Sequence, residues 1–145
     1  MYTIYIIILY LHIFSVILSI GPIFILFPLL NKLKHQVDIE KTVLDLIRFI
    51  VRLSKHAGHV LVTTGILLIW LGGWNWLDSW IVMTVLVLMC SIFFMARAFS
   101  PTIRKIESGE IDRMILITKL KRSVIYYISI LLIAMWFMVH KPVLW

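Results

Sequence analysis

The chain has 145 residues, 62% of them hydrophobic and 14% charged, with a mean hydropathy of +1.03. That balance excludes a soluble globular domain and predicts an integral membrane protein. The net charge of +7 reads first as a topology signal and as attraction to anionic membrane lipid. No basic motif interleaved with aromatic residues occurs, so no nucleic acid is expected as a partner.

Four apolar stretches follow one another: Tyr2 to Leu30, Ala57 to Trp74, Trp80 to Ala96 and Val124 to His140. Each is near the roughly 20 residues a helix needs to cross the hydrocarbon core, and none contains Asp, Glu, Lys or Arg. They predict an all-α protein, a single four-span transmembrane domain over residues 1–145 packed as a four-helix bundle. The first stretch is expected to stay in the mature protein. No Lys or Arg precedes it, its apolar run is too long for a signal sequence, and no small-x-small cleavage site follows.

Between the first two stretches, Asp38 to Lys55 places Val43, Leu46, Ile47, Ile50, Val51 and Leu53 among charges at helical spacing. Helix two is therefore expected to run unbroken from the cytoplasm into the second span. In the third connection, Pro101 and the Ser108-Gly109 pair are expected breaks, and Glu110 to Arg122 is expected to form the cytoplasmic foot of helix four. Six basic residues (Lys32, Lys34, Lys41, Arg48, Arg52, Lys55) lie before the second span, and seven (Arg97, Arg104, Lys105, Arg113, Lys119, Lys121, Arg122) lie in the third connection. Only Lys141 is elsewhere. The positive-inside rule then makes both long connections cytoplasmic and the molecule N-out/C-out, with helices two and four extended into the cytoplasm. Trp70, Trp74, Trp76, Trp80, Trp136 and Trp145 gather at the outer interface as an aromatic belt. Cys90 is the single cysteine, so an internal disulfide is impossible.

An ionisable side chain inside a span points to function. His12 lies nine residues beyond Thr3, about 14 Å along a helix, and His59 lies fourteen residues before Gly73, about 21 Å. Their depths agree to about one turn, so two neutral imidazoles on different helices are placed to ligate one iron from opposite sides, as helix bundles hold b-type haem. Gly58, Gly65 and Gly72 recur every seven residues on helix two and Gly21 lies below His12, leaving side-chain-free space for a flat ring or for close helix packing. His56 is read as an interfacial residue, an alternative ligand or a propionate partner. Arg48, Arg52 and Lys55 are candidates to meet propionates, although topology alone also explains them. His35 is expected to be solvated, and His140 to cap the outer interface.

The residues thus predict haem b as cofactor, with His12 and His59 as axial metal ligands and His56, Gly21, Gly58, Gly65 and Arg52 around the ring. The accompanying function is electron transfer or a haem-dependent membrane oxidoreductase, with a quinol, a porphyrinogen or superoxide as partner. Two other readings stay open. Met135 and Met138 form an M-x-x-M pair suited to copper handling or transport, although such a pair in an apolar span also serves packing. A haem-free assembly scaffold acting through its basic helices is the third. Self-association into a homo-oligomer is left open. The spans contain no carboxylate, no G-x-S-x-G and no nucleotide loop, so hydrolytic and phosphate-handling sites are excluded.

The run YLHIFSVILSIGPIFILFPLL, residues 10–30, resembles the first span of small bacterial four-span membrane proteins of the CopD-like and HemJ-like group, the latter haem-binding protoporphyrinogen oxidases. The resemblance implies the haem-ligand position of span one for His12, a porphyrin or quinone as substrate, and a multi-pass place in the bacterial cytoplasmic membrane. HemJ-like proteins follow that histidine with a W-x-A-G-L-F-Y-x-x-R-type run. Here Ser19-Ile20-Gly21-Pro22 stands instead and no Arg precedes Arg48, which argues against protoporphyrinogen oxidase activity and leaves haem binding as the expectation.

Overall fold

The computed structural model describes residues 2–35, 40–109 and 112–144, and every regular element among them is a helix. In order they are α1 (Tyr2–His35), α2 (Glu40–Leu71), α3 (Ser79–Ala98), α4 (Ser100–Ser108) and α5 (Arg113–His140). The four apolar stretches become parts of α1, α2, α3 and α5, and α4 is a short helix within the third connection. Three helical segments are long and apolar enough to cross a membrane: Tyr2–Leu33, Ser79–Ile106 and Met114–His140. The protein is thus a multi-pass membrane protein.

α2 stands apart because charge and apolarity share one helix. It runs without interruption from Glu40 to Leu71, as the spacing of its first half predicts; Asp38 lies outside the described residues. Its uncharged part begins at Ser54's neighbourhood and is cut short at Leu71, so Ala57 to Leu71 covers about 22 Å at 1.5 Å per residue. Gly72, Gly73 and Trp74 belong to the short turn into α3, so the helical part of the second apolar stretch ends at Leu71. Gly73 has φ +65 there, a left-handed conformation that glycine adopts without strain. A Cβ on Gly72 would meet the Trp74 ring at 2.7 Å and the Leu68 carbonyl at 2.8 Å, so this glycine serves the turn.

Packing follows alternating steps of three and four residues. On α2 the buried positions include Val43, Leu44, Ile47, Ile50, Ser54, Ala57, Leu61 and Thr64, and on α1 they include Ser15, Ser19, Ile23, Leu26, Leu30 and Leu33. These two seams close the principal helix pair, α1 on α2, which run antiparallel. Large side chains fill the seam near Leu33 and Val43, and small ones fill it near Ser15 and Thr64. The second pair is α3 on α5, whose buried positions include Thr84, Leu88, Ser91 and Met95 on α3 and Val124, Tyr127, Leu131 and Ala134 on α5. The pairs join chiefly through α1 and α5, whereas α2 and α3 touch more sparsely. Pro22 and Pro28 lie within α1; a spanning helix tolerates such residues where neighbouring helices and hydroxyls re-satisfy the freed carbonyls.

The break expected at Pro101 falls earlier, at Phe99, and Pro101 occupies the first turn of α4. A proline there loses no hydrogen bond, because the first N–H groups of a helix have no partner within it. Phe99 is fully buried and meets Tyr127 edge-on at 6.0 Å. The foot of the last helix begins at Arg113, where the Asp112 carboxylate accepts from the Met114 N–H at 3.0 Å as an N-cap. Glu110 and Ile111 lie outside the described residues.

Two ties define the ends of the molecule. Asn31 on α1 accepts from the Lys121 ammonium on α5, which places those helices' charged portions together. At the opposite end the Ser79 hydroxyl donates to the Pro142 carbonyl at 2.7 Å and accepts from the Leu144 N–H at 2.9 Å, clasping the chain after α5 to the start of α3. Trp74 and Trp80 meet edge-on at 5.5 Å at this second end, and the Lys141 ammonium lies 4.3 Å and 5.2 Å from their ring centres. Tryptophans thus mark one end and basic residues the other, as the sequence predicts; Trp145 lies outside the described residues.

Gly109 closes α4 with φ +66, and a Cβ there would meet nothing within 4 Å. Gly109→Ala should therefore carry only the backbone cost of the left-handed region, about 1 kcal/mol, and Gly109→Asn less. Reversible unfolding in mixed micelles should show that order, and an unchanged midpoint in Gly109→Ala would contradict it.

Candidate functional site

His12 projects from α1 onto the small-residue part of the α1–α2 seam. Its Nδ1 lies 3.0 Å from the Thr64 hydroxyl. The Thr64 hydroxyl donates to the Val60 carbonyl at 2.7 Å, with the Leu61 carbonyl at 3.1 Å. A hydroxyl has one proton to give, so with that proton committed to the backbone its oxygen accepts from Nδ1–H. This tautomer leaves the lone pair on Nε2.

Gly65 makes the approach possible. A Cβ at this position would lie 3.3 Å from His12 Cε1, closer than side chains ordinarily pack, and 3.8 Å from Nδ1. The space that the sequence assigns to a flat ring is therefore taken, at this level, by the imidazole itself. The other glycines have different surroundings. Gly58 borders a second cavity nearer the basic end, Gly72 serves the turn, and Gly21 is exposed with open space around it.

His12 also lines a cavity of about 230 Å³ between α1, α2 and α3, walled by Leu9, Leu61, Ile69, Leu88 and Met138 and reaching Trp74, Trp80 and Lys141 at the tryptophan end. Almost all of its wall is hydrocarbon. Besides His12, the side chains with polar atoms are Tyr5, Trp74, Trp80, Lys141 and Thr84, whose hydroxyl donates to the Trp80 carbonyl at 2.7 Å.

His59, His56 and Arg52 are all exposed on α2. They continue a polar face that includes Arg48, which pairs with Asp45 at 3.8 Å. The fold thus brings together His12, Thr64 and Gly65, and does not bring His59 to the cavity. Among the described residues, no three His, Cys, Asp or Glu side chains gather as a metal cluster. His140 is exposed and stacks on Trp136 at 5.0 Å; Met138 borders the cavity while Met135 is exposed. Nothing is described of the His35 side chain.

The donor set fits one half of a haem site. A neutral imidazole whose Nδ1–H is held by a hydroxyl presents Nε2 to a metal, which is how ligating histidines are oriented. It does not fit the paired arrangement, because His59 faces away, and the cavity is smaller than the roughly 300–1,000 Å³ that encloses a large ligand. Thr64 is the residue missed by reasoning from sequence. Its signal was its place in the three-four alternation of α2, on the same seam as Leu61 and Ala57. No family model, curated protein or solved structure matches the chain.

Thr64→Val should free Nδ1 and Gly65→Ala should push the ring from α2, whereas Gly58→Ala, with nothing within 4 Å of its added carbon, should leave His12 undisturbed. In protein carrying ¹⁵N-histidine, the His12 resonances should show the Nδ1–H tautomer and lose that pattern in the first two variants only. An Nε2–H tautomer in the unaltered protein would refute the assignment.

Proposed function

We propose that the protein is a four-span protein of the bacterial cytoplasmic membrane, with both termini outside, that binds a lipid-soluble aromatic ring ligand of the quinol class at His12. The observation that carries this reading is His12 on the wall of an almost wholly apolar cavity with its Nδ1 3.0 Å from the Thr64 hydroxyl, an arrangement that leaves Nε2 as the acceptor. An unprotonated ring nitrogen accepts; it therefore suits a phenolic O–H better than the carbonyl of an oxidised quinone. The cavity accommodates one ring, and a long apolar tail would leave between the sparsely joined α2 and α3. Proton acceptance by His12 from such a hydroxyl is the elementary step that its tautomer supports.

Haem b is the second reading, favoured by the same lone pair. His12 would then be the protein ligand, and the group would supply one-electron chemistry. Arg52, His56 and His59, exposed on α2, have no part in holding it in this arrangement.

The fourth span in this reading is the apolar part of α2, and the concentration of basic residues at one end of the molecule supports the orientation. A reporter fused after the last residue should register the outer side, and one inserted beside Ser108 the cytoplasm. A cytoplasmic C-terminus would reverse the topology.

Purified protein from a quinone-producing membrane should carry quinone in its solvent extract at near-stoichiometric amount, falling at least tenfold in His12→Ala and unchanged in His59→Ala. A Soret band lost in His12→Ala would instead select the haem reading. Equal ligand content in the unaltered protein and His12→Ala, or none in either, refutes both.

A further inference from the structure

α3 and α5 leave their apolar stretches at one level. Arg97 is the first charged residue of α3 after Ser79, and between Arg122 and Lys141 the chain has no Asp, Glu, Lys or Arg. Counted from the clasped end, at Ser79 and His140, each arginine lies about 27 Å along its helix, close to the roughly 30 Å of a bilayer's hydrocarbon core. Both guanidinium groups therefore emerge where the core gives way to lipid headgroups.

The two arginines are also neighbours across the helix pair. Phe94 and Tyr126 meet edge-on with ring centres 6.5 Å apart. The helices run antiparallel, as the bonds from Ser79 to Pro142 and Leu144 require, so Arg97, one turn after Phe94, and Arg122, one turn before Tyr126, leave that contact in the same direction. Spacings of three and four residues keep each arginine on the side of its helix that carries its aromatic. The exposed Phe93 lies under the Arg97 guanidinium, 4.7 Å from ring centre to Cζ. One turn beyond Arg122, Lys119 borders the same shallow recess of α5. Arg97, Lys119 and Arg122 are all exposed, and none pairs with a carboxylate among the described residues.

We propose that this edge of the α3–α5 pair binds a phospholipid whose headgroup carries net negative charge. Its phosphate is held between Arg97 and Arg122, Lys119 meets the headgroup from the watery side, and an acyl chain lies along Phe93, Phe94 and Tyr126. A guanidinium offers two parallel N–H donors to phosphate oxygens, which makes arginine the side chain suited to such a group. Charge and surface together select the occupant: three cations without an anion, at headgroup level, continue into an exposed aromatic wall. Inorganic phosphate would use the cations and leave the wall bare. A second copy of the chain, related by a two-fold axis, would bring the same three cations against each other.

The test uses the full chain in micelles doped with equal amounts of phosphatidylglycerol and phosphatidylcholine, with retained lipid counted by native mass spectrometry. The unaltered protein should keep one phosphatidylglycerol in preference to phosphatidylcholine. Arg97→Gln/Arg122→Gln should weaken that retention about tenfold or more, as expected for lost hydrogen bonds to a charged partner. Arg104→Gln/Lys105→Gln removes the same charge from two exposed positions of α4 and should keep the preference. Phosphatidylglycerol should also raise the unfolding midpoint saturably in the unaltered protein and in the α4 variant, because a ligand of the folded state stabilises it by mass action. Should the double arginine variant fail to fold, Arg97→Gln and Arg122→Gln singly carry the same expectation. Equal losses in the two double variants would mean diffuse attraction to a basic surface. Equal retention of the two lipids, retention of neither, or displacement of the lipid by inorganic phosphate would likewise overturn the proposal.

Discussion

The close approach of α1 to α2 is the constraint on which the rest depends. Lipid tails are as apolar as leucine, so helices within a bilayer gain little from hiding hydrocarbon from one another and associate through shape and hydrogen bonds. The seam obeys this rule in its membrane half, with Ser15, Ser19, Ala57 and Thr64 buried, and changes to Leu26, Leu30, Leu33, Val43 and Ile47 towards the basic end. Val43 and Ile47 lie in the charged part of α2, outside its apolar run, where burial of large apolar side chains stabilises the pair by the ordinary hydrophobic effect, at about 25 cal/mol per Å². One helix pair therefore uses two physical means of association along its length. His12 sits on the small-residue half, and the bare backbone of Gly65 lets its ring lie close.

The second pair, α3 with α5, is built on the same three-four alternation, but the two pairs do not meet evenly. Contact along α1 and α5 closes one side, and the side between α2 and α3 is left looser. Both cavities lie along that side, and Leu61, Val62 and Leu88 border both of them. A thin apolar layer thus separates the His12 cavity from the one beside Gly58. The loose side results from the short turn between α2 and α3, which fixes their ends in proximity while the principal packing of each faces elsewhere.

The apolar stretches, the unbroken run of α2 and the segregation of tryptophan from basic residues were all legible in the sequence, because length, period and charge are one-dimensional properties. The partner of His12 was not. Counting residues places His12 and His59 at comparable heights, but height leaves the angle about the helix axis free. His59 precedes Thr64 by five residues, a rotation of roughly 140° at 3.6 residues per turn, and so lies on an exposed face when Thr64 lies on the seam. The period-seven glycines misled for a related reason. A shared face on paper becomes three different environments once the partners of each level are known, an imidazole at Gly65, an indole at Gly72 and open space at Gly58. The break at Phe99 was hidden because proline signals a helix start as readily as a helix end.

The clasp at Ser79 has a bearing on how anything reaches His12. Lys141 holds φ +46, a left-handed conformation that costs a non-glycine residue energy, and the bonds from Ser79 to Pro142 and Leu144 keep it there. Its ammonium thereby rests against Trp74 and Trp80, on the wall of the His12 cavity. The Lys141 ammonium thus covers part of the tryptophan end of that wall. For a ligand of the proposed class the bilayer would then be the nearer reservoir, reached between the sparsely joined α2 and α3, and a water-soluble analogue with the same head would arrive more slowly.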